Sequence, residues 1–248
     1  MNNRNEKLFR MFKKNKMKMN DSFSFNCKQC GKCCKNRVDI LLSPHDLFCM
    51  AKFLKQSTSQ FFEKYCETYI GQSSKTPVVR LRPKTVYDNV LLREPQIIGT
   101  VCPLLDGNGH CIVQSQKPVV CALFPVGRFY AVDKKGYDYF MQDDVRCGDK
   151  SKRHTLKEWL DKFNILGTDE IMFVWNEFLS YAVELMHDLE KLPERIRELI
   201  YLSFLGMIYL CYDIEKDFLS QLEENIANFK DTMRRTKEII KQHKNEEE

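Results

Sequence analysis

Cys27-Lys28-Gln29-Cys30-Gly31-Lys32-Cys33-Cys34 places four soft ligands in eight consecutive positions. Two-residue gaps let the chain curl so that successive sulfurs converge, and Gly31 permits a backbone turn that a side chain would obstruct. Thiolates select zinc, copper(I) or iron–sulfur centres over hard cations. Adjacent residues of an extended chain point to opposite sides, so Cys33 and Cys34 are expected to serve different metals, or one to bind while the other supports it.

Three cysteines at repeated two-residue spacing resemble the run that wraps a cubane cluster in bacterial ferredoxins, where the next cysteine follows a longer gap; here the fourth follows at once. Downstream lies a looser group: Cys102-Pro103-Leu104, Gly109-His110-Cys111, Lys117 to Pro125 around Cys121, and Cys147-Gly148. Its four thiols sit in turn-rich settings, and their number completes the first site or builds a second. Asp106-Gly107-Asn108-Gly109 is a strong turn signal that folds Cys102 and Cys111 toward each other. The metal ligands read from the residues are therefore Cys27, Cys30, Cys33, Cys34, Cys102, Cys111, Cys121 and Cys147. Cys49, Cys66 and Cys211 fall on apolar helical stretches and read as small buried hydrophobes. His110 and His154 read as exposed rather than as ligands, and Asp143-Asp144 as a solvated turn rather than a hard-cation pair.

Around this constellation the chain has ordinary globular composition. Its 248 residues are 43% hydrophobic, 12% aromatic and 29% charged, enough to bury a core without depending wholly on metal. The net charge of +5 gathers early, where Arg4, Lys7, Arg10, Lys13, Lys14, Lys16 and Lys18 face only Glu6. Without interleaved aromatic residues for base stacking, this run reads as a solvated, frayed arm and carries no strong nucleic-acid signal. The first twenty residues lack the apolar stretch of a secretory signal, and the longest apolar segment, Leu199 to Tyr212, is too short to span a membrane and reads as a buried helix. The expected location is the cytoplasm, whose reducing conditions keep eleven cysteines unpaired and favour metal over disulfides.

Ten of those cysteines fall between Cys27 and Cys147. The expected organisation is a basic arm over 1–21, a cysteine-cluster metal-binding domain over 22–153, and a helical region over 154–248. The fold class is α+β: a small irregular cysteine-rich module with short strands and helices, followed by a helical C-terminal extension. Ser43-Pro44 signals a helix running to about Gln56. Phe61, Phe62, Tyr65, Cys66, Tyr69 and Ile70 recur at helical spacing and predict a second helix from Ser59 to Ile70. Val78 to Leu81 and Gly127 to Val132 read as strands. Thr155 followed by Glu158 is a capping pair, and further helices are expected over 168–190, 193–213 and 216–243. Phe173, Trp175, Phe178, Leu179, Ala182, Leu185, Met186 and Leu189 form a core-facing stripe.

Taken in order, Cys27-x-x-Cys30-Gly31-x-Cys33-Cys34, Cys102-Pro103-Leu104, Gly109-x-Cys111, Pro118-x-x-Cys121 and Phe124-Pro125 resemble the YkgJ-type cysteine-cluster proteins over roughly residues 25–150. That family is taken to chelate zinc or iron and is related to flagellin lysine N-methylases. The chain departs from it at Lys117 and Ala122, where arginine is usual, and at Gln114, where an aromatic residue is common. Lysine at 117 keeps a charge without the bidentate fork, and alanine at 122 keeps neither. The resemblance implies a metal-binding protein holding zinc or an iron–sulfur cluster in one or two centres. It also admits a protein-lysine methylase, with S-adenosylmethionine as cofactor and a protein as substrate, although no Gly-x-Gly-x-x-Gly loop supports an ordinary Rossmann site. A third reading makes the C-terminal helices a partner-binding bundle steadied by a structural metal.

Overall fold

The computed structural model describes residues 10–88, 96–131, 136–143 and 145–246, with side chains described as far as residue 242. Arg4, Glu6, Lys7, Val132 and Asp144, for which expectations were stated above, lie outside the described residues. Contacts divide the chain into two compact units, one of residues 1–41 with 80–173 and the other of 42–79 with 174–248. Both mix or juxtapose helices and short strands, and the class is α+β.

The first unit is built from paired strands. β1 (Lys16–Met17), β7 (Val126–Ala131) and β8 (Gly136–Met141) form a three-stranded antiparallel sheet in the order β1-β8-β7. Part of the basic arm is thereby held rather than frayed: Lys16 pairs with Asp138 at 2.9 Å, and Asn15 Nδ2 donates to the Met141 carbonyl at 3.1 Å. β2 (Ser22–Asn26) alternates strictly, with Phe23 and Phe25 buried between exposed serines, so one face of the strand belongs to the core. It runs antiparallel to β9 (Asp149–Thr155), with Phe23 opposite His154 and Asn26 opposite Asp149. β5 (Lys84–Tyr87) and β6 (Ile97–Val101) make a further antiparallel pair.

The core of this unit collects Phe23 and Phe25 with Leu123, Val126, Tyr139, Leu156, Trp159 and Leu160. Trp159 stands edge-on to both phenylalanines at 5.7 Å, the favoured arrangement for aromatic quadrupoles. Its indole Nε1 donates to the Leu123 carbonyl at 2.9 Å. The short helix carrying this residue (Leu156–Asp161) starts as its sequence predicts: the Thr155 side chain accepts from the Glu158 amide, and Glu158 accepts in return from the Thr155 amide.

In the second unit, α1 (Pro44–Phe53) begins with the expected Ser43 cap, reciprocated by Asp46, and stops short of Gln56, where Lys55 takes a positive φ of 54°. α2 (Thr58–Tyr65) ends five residues before the predicted boundary. Cys66 is extended, and Cys66–Ile70 forms strand β3, paired with β4 (Pro77–Leu81). Thr68, Tyr69 and Ile70 are β-branched or aromatic, and the partner strand supplies hydrogen bonds that local helical periodicity cannot reveal; Thr68 Oγ1 donates to the Val78 carbonyl at 3.1 Å. Tyr69 and Ile70 are consequently exposed.

Asp169–Asp188, Glu194–Leu205 and Phe218–Glu246 are the expected long helices, and the second continues as a π-helical stretch over Gly206–Leu210. Phe178, Phe204 and Phe229 pack as a fully buried trio, ring centroids 5.6 to 5.8 Å apart. Most of the predicted stripe is buried, with Phe173 and Leu179 at its margin. The apolar segment from Leu199 to Tyr212 is only partly buried: Phe204, Ile208 and Tyr209 face the core, whereas Leu199 and Leu202 are 58% and 65% exposed on the opposite side of the helix. Among the described residues no helix is long and apolar enough to cross a membrane.

Trp159→Phe keeps the aromatic contact but leaves the buried Leu123 carbonyl without its donor. A loss of about 1–3 kcal/mol in unfolding free energy is expected, read from chemical denaturation of the full chain.

Candidate metal centre

Immediately after β2 the chain enters the cysteine loop. Gln29 and Gly31 take positive φ values of 51° and 65°, and the Cys34 amide donates to the Gly31 carbonyl at 3.0 Å, closing a single 3₁₀ turn over Lys32–Cys34. A Cβ on Gly31 would stand 2.8 Å from the Gly109 carbonyl oxygen, so the absent side chain lets two loops touch. The turn also overrides the expectation that Cys33 and Cys34 face opposite ways. Their sulfurs lie 3.8 Å apart on one side.

On the far side of that contact, Asp106 organises the predicted turn by accepting from the amides of Asn108 at 2.9 Å and His110 at 2.8 Å. These N–H donors hold its carboxyl below the ordinary carboxylate range. Leu105 and Cys111 form an isolated bridge, and the Ile112 amide donates to Leu104, which folds Cys111 back beside Cys102. The Cys102 amide donates to the Cys34 carbonyl at 2.9 Å, tying this loop directly to the cysteine motif. Cys121 rides on the short helix Val119–Leu123, opened by Pro118. Cys147 arrives through β9: Gly148, with φ 72°, comes so close to Asn26 that a Cβ would sit 2.7 Å from its carbonyl oxygen, and Lys28 pairs with Asp149 at 2.9 Å.

The result is one cleft of about 950 Å³, measured to its open mouth, that all eight predicted cysteines line. None of the three others does. Cys66 is buried as expected; Cys49 is partly buried, its sulfur 3.3 Å from His45 Nε2; Cys211 is exposed, contrary to its reading as a core residue, because the helix has ended before it. His110 is exposed as expected, whereas His154 is half-buried, with Nε2 3.0 Å from the Phe25 carbonyl and its ring against Trp159.

Two cations also line the cleft. Arg37 is braced through Nε by the Asp39 carboxylate at 2.9 Å, and the Lys117 ammonium lies 4.5 Å from the centre of the Phe163 ring. Sequence reading missed Arg37, since a basic residue three positions after Cys34 looks like any solvated charge; the nearby Asp39 was the sole local signal.

Mutual contact sets the acidity of the thiols. Cys33 is raised chiefly by its hydrogen bonding with Cys34; Cys34 is raised to about 12, first by hydrogen bonding with Cys102. Cys102, receiving that bond and a second from the Leu104 amide, is held below its ordinary value despite burial. Burial pushes Cys121 up to about 12, and burial followed by the neighbouring thiols of Cys33 and Cys30 does the same to Cys147. Cys102 is thus the thiol most readily ionised among those shifted, and the rest hold their protons until a cation displaces them.

The donor set suits a soft metal. Zinc–thiolate bonds of about 2.3 Å give a tetrahedron with sulfur–sulfur edges of about 3.8 Å, the separation of Cys33 and Cys34. Among the described residues no three His, Cys, Asp or Glu side chains already stand as a finished single-ion site, so loading requires the thiols to draw inward.

Gly31→Ala should cost about 1–2 kcal/mol, since its backbone is left-handed, besides pushing the loop off Gly109. Gly107→Ala, with open space around it, should stay within about 0.5 kcal/mol of wild type. Thermal denaturation of both variants checks the pair. Raised thiol pKa values favour the folded state only while the thiols are protonated. Metal-free protein should therefore lose stability as pH rises from about 9, where unfolded thiols ionise, toward 12, in denaturation curves recorded under reducing conditions.

No curated protein and no solved structure gives a significant match to the chain. The segment holding all eight cleft cysteines, residues 26–148, matches the CxxCxxCC family model, described as "Putative zinc- or iron-chelating domain".

Proposed function

We propose that this protein chelates zinc or an iron–sulfur cluster through the thiolates of Cys27, Cys30, Cys33, Cys34, Cys102, Cys111, Cys121 and Cys147. The observation that carries the reading is their convergence: thiols from four separated stretches of chain line a single cleft. Ionising such a gathering is unfavourable: hydrogen bonding between thiols raises Cys33 and Cys34, burial raises Cys121 and Cys147, and repulsion from neighbouring thiolates adds to each. A metal cation offsets that repulsion and takes the place of the protons. Arg37 and Lys117 add positive charge at the rim of the cleft, which favours a centre whose thiolates outnumber the metal's own charge.

A closed thiolate site of this kind stabilises the fold around it or carries an electron, according to the metal it holds. The hydrophobic core beside the cleft joins Leu123, Val126 and Tyr139 to flanking residues outside 26–148, among them Phe23, Phe25, Leu156 and Trp159, so metal adds to a structure that already packs. Free thiols in this number suit a reducing compartment, and the cytoplasm is the proposed location.

Purification without oxygen, followed by measurement of metal and acid-labile sulfide per chain and of the visible spectrum, tests the proposal. Stoichiometric zinc without sulfide, or iron with equivalent sulfide and a coloured protein, is the expected result and selects between the two centres. Absence of stoichiometric metal, with every cleft thiol reacting freely with a small reagent, would sink the proposal. Cys34→Ser should lower the metal content of the purified protein while preserving its far-ultraviolet circular dichroism.

A further inference from the structure

We infer that the solvent face of the β2–β9 pair binds the sugar–phosphate backbone of duplex nucleic acid through Lys18, Lys150, Lys152, Arg153 and Lys157. None of these five residues lines the thiol cleft, so the inference stands apart from the metal reading.

Charge is divided unevenly along the chain. Residues 1–41 with 80–173 hold 25 Lys and Arg against 15 Asp and Glu, whereas residues 42–79 with 174–248 hold 14 against 19. Within the first unit, β9 gathers part of that excess by breaking the rule its partner keeps. β2 buries Phe23 and Phe25 between exposed serines, but β9 exposes five consecutive residues, Asp149 to Arg153. The cause is a bulge: Ser24 stands opposite Arg153 and Asn26 opposite Asp149, so three residues of β9 face one of β2. A regular register would set Lys152 opposite Phe25 on the buried face; the bulge turns it to solvent beside Lys150 and Arg153. Asp149 holds the bulge by accepting from the Ser151 amide at 2.9 Å and hydroxyl at 2.5 Å, and Asn26 Nδ2 donates to Ser151 Oγ at 2.9 Å.

Cross-strand partners share a face, which places Arg153 beside Ser24 and Thr155 beside Ser22. At that end of the ladder the Lys157 amide donates to the Met19 carbonyl at 3.0 Å and the Leu156 amide to Asp21 at 2.9 Å, bringing Lys18 and Lys157 together. Among the described residues none of the five cations pairs with a carboxylate. The acids of the face are engaged instead: Asp21 by the Lys18 amide, Asp149 by Lys28, and Glu158 by the Thr155 amide. Cations interspersed with hydroxyls are the side chains that hold phosphates. A protein partner needs buried apolar anchors, and a single strand needs aromatic platforms. The face offers neither; Met19, 39% exposed, is the one large apolar side chain exposed along it among the described residues. A duplex carries its charge outermost and requires neither. The ladder from Ser22 to Asn26 spans about 13 Å, or about four base-pair steps.

Fluorescence anisotropy of the full chain, purified without oxygen, against RNA and DNA duplexes of one sequence and about 20 base pairs tests the inference. Binding to either duplex supports it, and the tighter of the two names the source. Affinity should fall about 100- to 500-fold between about 50 and 200 mM salt, as four or five phosphate contacts require. Lys152→Ala and Arg153→Ala should each lower the slope of log affinity against log salt by about 1, and their combination with Lys150→Ala should weaken binding at low salt by at least about tenfold. Lys191→Ala with Lys216→Ala, exposed positions of the other unit, should change neither. Circular dichroism checks folding, and the single variants keep the test standing if the triple fails to fold. No binding to either duplex at low salt, affinity indifferent to salt, or unchanged binding by the well-folded variants would overturn the inference. So would tighter binding to the single strand, to phosphatidylserine vesicles or to a polyglutamate peptide.

Discussion

The cleft depends on a small number of places where backbone meets backbone with no side chain between. Gly31 touches the Gly109 carbonyl, Gly148 touches the Asn26 carbonyl, and the Cys102 amide bonds to the Cys34 carbonyl. The first and third join the eight-residue cysteine loop to the loop of residues 102–111, and the second joins the residue just before it to the segment of Cys147. A Cβ at either glycine would stand closer than atoms tolerate, and at both positions the backbone is also left-handed, where other residues are costly. The positions of the thiols follow from these contacts more than from any attraction among the sulfurs, which repel once ionised.

Beneath the loop, a conventional hydrophobic core keeps those backbone contacts in place. Phe23 and Phe25 on β2 precede the first cysteine, and Trp159 covers both while bonding to Leu123, two residues after Cys121. The same strand thus points its alternate side chains into the core and delivers Cys27 to the cleft. Stability of the packed core and geometry of the thiols are coupled through a few residues of chain, and loss of either is expected to loosen the other.

The electrostatics of the cleft are graded. Cys33 and Cys34 are raised chiefly through neighbouring thiols and Cys147 chiefly by burial, whereas Cys102, beside Cys34, is held below its ordinary value. Arg37, braced by Asp39, and Lys117, resting on Phe163, bring positive charge to the same space without sulfur chemistry of their own. A cation entering such a field meets one thiol already disposed to ionise and others that release protons as it binds.

Residue identity and spacing alone determined the eight thiols of the cleft, the Asp106 turn, the Ser43 and Thr155 caps and most of the C-terminal helical pattern. These are local signals: a cap needs one side chain and one nearby amide, a turn needs a left-handed backbone, and a soft ligand is soft wherever it lies. Tertiary structure decided what depends on a distant partner. The stretch 66–70 is a strand because β4 pairs with it, and the run 42–79 belongs with the C-terminal helices because its contacts lie there. Cys33 and Cys34 share a side because Gly31 turns the chain just before them, and Arg37 faces the thiols rather than water. Cys211 is exposed because its helix stops one residue earlier. In each case the deciding energy comes from groups far apart in sequence, which no local periodicity records.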